Sequence, residues 1–206
     1  MSKLVIAISG WKRSGKDTAA GHLINKYGAL RFGFADTLKN MVSEQYSIPR
    51  DFCDNPDFKE SPLPEYPVSS KDSFTSTLHN LLIKEFKPLN DTLHWTPRAF
   101  CILEGSVKRA TNPDYWVNKV IRNILSSDVN IFVISDLRYK SEIETLKKEF
   151  GSNLITLRLN RFDSVDSIDP SEIDLNDYVG FDFVIENKST VDNLYEKIDK
   201  CLKNYL

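Results

Sequence analysis

The residues best suited to chemistry lie near the amino end. Gly10-Trp11-Lys12-Arg13-Ser14-Gly15-Lys16-Asp17-Thr18 fits G-x-x-x-x-G-K, a loop whose backbone N–H groups cradle phosphate oxygens where a helix begins. Lys12, Arg13 and Lys16 set three cations around that loop, which suits a highly charged donor such as ATP. The usual loop continues with a Ser or Thr whose hydroxyl binds magnesium. Here Asp17 follows Lys16 and Thr18 comes one later, so the metal shell is expected to differ. A carboxylate at that position suits a water-mediated hold on magnesium or a role toward the phosphoryl acceptor. The spacing alone arises by chance about one time in twenty in a chain this long, so the flanking elements must decide.

A second group of charges closes another apolar run. Ile131–Ser135 leads into Asp136-Leu137-Arg138, placing a carboxylate and a guanidinium at the carboxyl end of an expected parallel strand, where open α/β sheets bind ligands. Asp136 there suits orientation of magnesium, and Arg138 suits neutralisation of charge on a transferred phosphoryl group; the competing use is an Asp–Arg pair at the start of the next helix. Glu142, one turn into that helix, is a weaker candidate for the same cluster. Further cations stand where an acceptor needs clamping: Lys39, Arg98 and Arg109, then Arg158 and Arg161 after a later strand. Arg98 and Arg109 are about three helical turns apart and can share a face. Phe34, Tyr115 and Trp116 suit stacking on a base, although core packing is the commoner use of aromatics. His22, His79 and His94 have no metal-ligand spacing.

These residues need elements to hold them. Lys3–Ser9 is a nearly continuous apolar run ending at Gly10, the pattern of a strand buried on both faces. Lys16–Tyr27 carries apolar residues at helical spacing with Gly28 just beyond. The phosphate loop therefore falls between a buried strand and a helix, as its mechanics require. Leu30–Phe34 reads as a strand and Asp36–Tyr46 as a helix. Prolines 49, 56, 62, 64 and 67 make Ser47–Ser70 an irregular insertion. Ser73–Phe86 is expected to be helical. Thr96-Pro97 and Asn112-Pro113 predict helix starts, giving helices over 97–109 and 113–126. Asn130–Ser135, Leu154–Leu159 and Phe181–Glu186 predict strands, Lys140–Phe150 a helix closed by Gly151, and Val191 onward a last amphipathic helix. Such alternation implies an α/β fold: a three-layer sandwich with a central five-stranded parallel sheet and helices on both faces.

Composition bounds the classes. The chain has 206 residues, ample for one sizeable core, with 27 basic and 29 acidic residues and no general basic excess for nucleic acid or a membrane surface. No apolar run approaches a bilayer span, and residues 1–15 lack a secretory pattern, so a cytoplasmic protein is expected. Cys53, Cys101 and Cys201 are odd in number and widely spaced, against both a disulfide framework and a zinc site. The near-neutral total hides an asymmetry. Residues 161–186 hold one basic against eight acidic residues. The carboxylates of such a polar, acidic segment are expected to face solvent or to pair with body lysines.

The motifs resemble the deoxynucleoside monophosphate kinases of tailed bacteriophages, within the P-loop nucleotide kinase superfamily. Ile8 through Thr18 is similar to that family's phosphate loop, including the Lys-Arg-Ser-Gly-Lys-Asp-Thr run. Phe34-Ala35-Asp36-Thr37-Leu38-Lys39 is similar to its F-A-D-P-L-K segment, with Thr37 in place of proline. Thr96-Pro97-Arg98, Arg109 and Asp114-Tyr115-Trp116-Val117 resemble its acceptor-side segment, where Glu104-Gly105-Ser106 departs from Leu-Gly-Thr. Asp136-Leu137-Arg138 resembles its D-x-R element, and Phe181–Asn187 its F-D-x-V-I-x-N strand.

The resemblance implies one kinase domain over 1–206, with 1–46 and 127–206 as core, 47–126 as a helical acceptor-binding insertion and 160–180 as a lid-like segment. It implies transfer of the ATP γ-phosphoryl group to a deoxynucleoside monophosphate. Gly10 and Lys12–Thr18 would hold the donor phosphates; Lys16, Asp17, Asp136 and Arg138 would serve catalysis; Asp17, Thr18 and Asp136 would serve Mg2+. Asp36, Lys39, Arg98, Arg109, Trp116 and Glu142 would bind the acceptor, and Arg158 and Arg161 would belong to the lid. Its partners would be ATP and the monophosphate, without nucleic acid or membrane; a homodimer is compatible with the sequence. A phage-encoded chain would act in the host-cell cytoplasm. Two rivals stay open: a P-loop kinase of another small acceptor, and a nucleotide-binding switch, against which no Asn/Thr-Lys-x-Asp guanine-reading element is found.

Overall fold

The computed structural model describes residues 3–161 and 170–206. In chain order the elements are β1 (Leu4–Gly10), α1 (Lys16–Tyr27), β2 (Leu30–Phe32), α2 (Phe34–Tyr46), a 3-10 turn (Arg50–Cys53), α3 (Ser76–Leu82), β3 (Lys87–Leu89), β4 (Thr92–His94), α4 (Pro97–Thr111), α5 (Tyr115–Ser126), β5 (Ile131–Leu137), α6 (Lys140–Phe150), β6 (Leu154–Asn160), α7 (Pro170–Ile173), β7 (Phe183–Glu186) and α8 (Val191–Leu202). They form two compact units, residues 1–34 with 117–206, and residues 35–116.

The first unit is the α/β sandwich. Its five strands are all parallel in the order β2-β5-β1-β6-β7, flanked by helices. β1 is the middle strand, and Val5, Ile6, Ala7 and Ile8 are fully buried, which is why its sequence is a run of apolar residues rather than an alternation. The chain leaves β1 toward β2 on one side and later reaches β6 on the other, so the carboxyl end of β1 is where the winding reverses, the usual ligand position in such sheets. One core packs Ile6, Ile8, Ala19, Leu23, Val133, Ile155, Leu157, Ile185, Leu194, Ile198 and Leu202 together, which fixes α1 and α8 against the sheet. The stripe Val117, Val120, Ile121 and Ile124 is likewise buried along α5.

Several boundaries differ from the sequence reading. β2 stops at Phe32 rather than Phe34, because the Phe34 N–H bonds Asp136 Oδ1 at 3.1 Å and starts α2 instead. A short edge strand is the result. β5 runs to Leu137, so Asp136 lies inside the strand rather than after it. The β1–β5 register slips between Ala7 and Ser9, a bulge of the kind that re-aims side chains. β7 starts at Phe183 rather than Phe181, since Asp182 Oδ2 takes both the Thr156 N–H and hydroxyl at 2.7 Å, a side chain doing the work of a ladder bond.

In the second unit the 47–70 stretch is irregular apart from the 3-10 turn, and backbone bonds pin it: Leu63 N–H to Trp95 O, Trp95 N–H to Tyr66 O and Val68 N–H to Leu93 O. Its core gathers Val42, Ile48, Cys53, Leu63, Leu82, Phe86, Trp95, Ala99 and Phe100, with Trp95 and Phe100 stacked at 4.7 Å. The helix expected over Ser73–Phe86 is only Ser76–Leu82, capped by the Thr75 hydroxyl. It is followed by an unpredicted hairpin, β3–β4, whose turn residues Asn90 and Asp91 have φ of 48° and 60°, the left-handed pair that a two-residue turn demands. The three cysteines are free thiols.

Candidate phosphate-binding site

The loop after β1 is shaped by its two glycines. Gly10 has φ 154°, and a Cβ there would lie 2.7 Å from Leu159 O and 2.4 Å from Ser14 Oγ. Gly15 has φ 100°, and a Cβ would lie 2.5 Å from Asn187 Nδ2. Only glycine fits either position. The loop folds back through a Ser14 N–H to Trp11 O bond of 3.1 Å, and no side chain caps the α1 amino end at Gly15. Lys16 Nζ donates to Gly10 O at 2.7 Å and Trp11 O at 2.8 Å, holding its ammonium over the loop. Burial, and then the nearby Arg138, push its pKa below the ordinary lysine value. The Ser14 hydroxyl is fully buried and makes no hydrogen bond with the described residues.

Cations from neighbouring strands face this loop. Arg158, on β6, is 8% exposed; it donates to Ser9 Oγ at 2.9 Å and Asn176 Oδ1 at 3.2 Å, and its guanidinium lies 5.5 Å from the Trp11 ring centre. Burial lowers its pKa. Arg138, just past β5, pairs with Glu172. Asn187, at the end of β7, is buried and donates to Ser14 O at 2.9 Å, bracing the loop from below. Beside the loop lies a cavity of about 370 Å³ lined by Trp11, Arg158, Asn176, Tyr178, Phe181 and Lys188 among others.

The remaining expected site residues divide. Within the first unit, Asp136 spends Oδ1 on the Phe34 N–H. Asp17 points outward, its side chain 82% exposed and 3.2 Å from Arg31 on β2, while Thr18 is half-buried. Arg161 is exposed and reaches Arg13 O at 3.5 Å. Glu142, expected on the acceptor side, is buried, and its Oε2 accepts the N–H groups of Arg138 and Tyr139 at the start of α6. Lys12 and Arg13 are exposed, Arg13 with φ 64°.

Within the second unit, Lys39 pairs with Asp54 at 2.7 Å, Asp36 with Arg50 at 3.2 Å, and Arg98 with Glu85 at 3.0 Å. Arg109 lies in the last turns of α4. Trp116, expected on the acceptor side, is 3% exposed and its indole N–H donates to Gly105 O at 3.4 Å. Glu104 is buried and its carboxylate accepts from Gln45 and the Tyr46 hydroxyl, at 3.0 and 2.6 Å.

Of the lid-like segment expected over 160–180, residues 162–169 lie outside the described residues. The described acidic groups do pair with the body: Glu172 with Arg138 and Asp177 with Lys140. Reading the sequence did not assign Ser9, Glu172, Asn176 or Asn187 to the site. Only Asn187 carried a signal, as the polar residue closing an apolar strand. Among the described residues no group of three or more His, Cys, Asp or Glu is placed to hold a metal, and no helix is long and apolar enough to cross a membrane.

Comparisons with known proteins agree with this arrangement. The family model for deoxynucleotide monophosphate kinase matches residues 3–63, which include the phosphate loop. A protein of Acanthamoeba polyphaga mimivirus named "Putative deoxynucleotide monophosphate kinase" is 26% identical, covering 98% of this chain and 97% of its own length. The deoxynucleotide monophosphate kinase of Escherichia phage RB69 is 24% identical, covering 97% and 99%. A solved gluconokinase from Sinorhizobium meliloti 1021 aligns over 97% of this chain and 91% of its own at 12% identity, with a TM-score of 0.47, too distant to bear on function. With a two-glycine loop at the reversal point of its parallel sheet, the chain is similar along nearly its whole length to two viral proteins named as deoxynucleotide monophosphate kinases.

Proposed function

We propose that the protein transfers the γ-phosphoryl group of ATP to the 5′-phosphate of a deoxynucleoside monophosphate, giving ADP and the diphosphate. The observation that carries this reading is the half-buried Lys16 ammonium, held over a two-glycine loop at the carboxyl end of β1 and close to Arg138 and Arg158. Catalysis in such a site is mainly positioning and charge stabilisation. The loop N–H groups and Lys16 fix the donor phosphates. Arg138 and Arg158 offset the charge that spreads over the phosphoryl oxygens in the transition state, and Arg161 joins them from the loop edge. The cavity beside Trp11 and Arg158 offers rings and amides suited to the donor's base.

P-loop kinases generally use ATP with Mg2+, and the residues present fit that ion. Asp136 and Thr18, with Asp17 through water, would supply the hard oxygen ligands that such an ion takes. Bound there, magnesium would neutralise donor phosphate charge. On the acceptor side, Asp36, Lys39, Arg98 and Arg109, within the 47–126 insertion and the helix before it, are assigned to the monophosphate. The paired carboxylates Asp54 and Glu85 hold two of those cations in set orientations. The reaction is placed in the cytoplasm, that of the host cell if the chain is phage-encoded.

A coupled assay of ADP release with ATP, magnesium and a panel of deoxy- and ribonucleoside monophosphates tests this. ADP is expected only when a deoxynucleoside monophosphate is present. ADP release that ignores every acceptor would refute the reading, and a response confined to ribonucleotides or to a non-nucleotide acceptor would transfer it to the rival kinase.

A further inference from the structure

The donors at the mouth of the phosphate loop are engaged by a carboxylate of the chain itself. Glu172, on the single turn α7, has a side chain 15% exposed. Its Oε2 accepts the Lys12 backbone N–H at 3.1 Å, and its Oε1 accepts from Arg138 Nη1. Its charge is also felt at Lys16, where it opposes the effect of burial. A backbone N–H on one oxygen and a guanidinium on the other is the recognition that a phosphate group receives at such loops. Glu172 thus presents to the loop the chemistry of its ligand.

The residues that follow are tied down independently. Asp174 Oδ2 accepts the Lys140 N–H at 2.7 Å, and Asp177 pairs with Lys140 Nζ at 2.8 Å. Asn176 Oδ1 accepts from both Trp11 Nε1 at 2.8 Å and Arg158 Nη2 at 3.2 Å. Lys147 Nζ donates to the Tyr178 hydroxyl at 3.1 Å and to Gly180 O at 3.0 Å. These bonds run from the phosphate loop across β6 to α6. They are mostly charge-assisted and partly exposed, so each is modest and reversible.

We propose that residues 172–180 form a strap in which the Glu172 carboxylate competes with the donor's phosphates for the Lys12 N–H and the Arg138 guanidinium. The strap makes entry to the loop a displacement. A triphosphate brings enough charge to Lys16, Arg138 and Arg158 to expel one carboxylate, whereas inorganic phosphate offers little more than Glu172 already supplies. The segment thereby acts as a charge threshold that favours triphosphates and turns away single phosphates. This rests on the reading above that the loop holds ATP.

Calorimetric titration of the full chain with magnesium–ATP, and separately with inorganic phosphate, decides it. Glu172→Gln keeps the size of the side chain and removes its charge; ATP is expected to bind on the order of tenfold tighter, and inorganic phosphate to gain at least as much. Asp174→Ala, which loosens the strap at Lys140 without touching a phosphate donor, is expected to shift both affinities the same way by a smaller factor. Thermal melts of both variants show that they are folded. If the wild type binds ATP and neither variant binds it tighter, the strap is overturned while the phosphate-loop reading stands. If the wild type binds no ATP, both are overturned.

Discussion

Gly15→Ala is the sharpest test of how the loop is built, because its cost has two separable sources. The first is the backbone: φ is 100°, and a residue with a Cβ in that region loses about 1–2 kcal/mol. The second is the contact with Asn187, whose Nδ2 would lie 2.5 Å from the new Cβ. A side-chain terminus can swing away, but this one is 8% exposed and donates to Ser14 O at 2.9 Å. Moving it leaves a buried donor and a carbonyl unmatched, about 1–3 kcal/mol. The two together predict a loss of roughly 2–5 kcal/mol. In an Asn187→Ala background the second source is gone, since the next atoms, Leu194 Cδ2 at 3.6 Å and Asn187 Cγ at 3.8 Å, are at ordinary contact distance or absent. Gly15→Ala should then cost only the backbone share, giving a coupling of about 1–3 kcal/mol between the sites. Urea denaturation of the four proteins, compared at equal slope, measures it. Strictly additive costs would refute the contact, and a Gly15→Ala protein within about 0.5 kcal/mol of the wild type would refute the strained loop as well.

Two further perturbations probe chemistry and charge. Lys16→Ala should lower turnover by on the order of a thousandfold or more, while thermal melts stay close to the wild type, since Nζ donates to two loop carbonyls; near-normal turnover would remove the phosphate-loop assignment. Asp199 sits among Lys26, Tyr27 and His22 at 2.7–2.8 Å. Burial alone would raise its carboxyl, but hydrogen bonds from those three groups outweigh it and hold the pKa at about 2. A folded-state value below the unfolded one, near 4, means that the cluster stabilises above about pH 4 and loses that contribution as pH falls through about 2. Asp199→Asn should therefore cost about 1 kcal/mol at pH 7, after allowance for partial exposure, and almost nothing at pH 2. A stability gap that stays constant across that range would show that the charge plays no part.

What could be read in the sequence was whatever is periodic or local. The β1–loop–α1 unit announces itself because a strand buried on both faces is an apolar run, and because glycines stand where the backbone turns positive in φ. α6 and the start of α8 were likewise visible, since one apolar stripe and one end signal are enough. The β3–β4 hairpin was hidden, although Asn90-Asp91 is a turn pair. Its strands are three residues long, too short for alternation to show, and Ile83 and Phe86 continue the spacing of the helix before them. Glu142 and Trp116 meet partners within the protein for one reason. A carboxylate in a first helical turn has the backbone N–H groups as rivals to any ligand, and an aromatic at helical spacing has the core; in both cases the rival won.

The charge count over residues 161–186 shows the same limit from the other side. One basic residue against eight acidic ones states a sign, and from the sign alone solvent was as good a destination as the protein. Partners separate the possibilities. Glu172 and Asp177 meet Arg138 and Lys140, more than thirty positions earlier in the chain, and Asn176 meets Trp11 from a distance of 165 residues. No spacing rule reaches that far, because the parallel sheet brings β5, β1 and β6 side by side in an order unrelated to sequence. The reach of the sheet also explains why an acidic segment is tolerated beside a site for phosphate. The strand ends concentrate Lys16, Arg138 and Arg158 within one low-dielectric corner, and three cations facing one another are costly unless an anion is present. Glu172, against Arg138 and near Lys16, offsets part of that repulsion, and Asp177 takes Lys140.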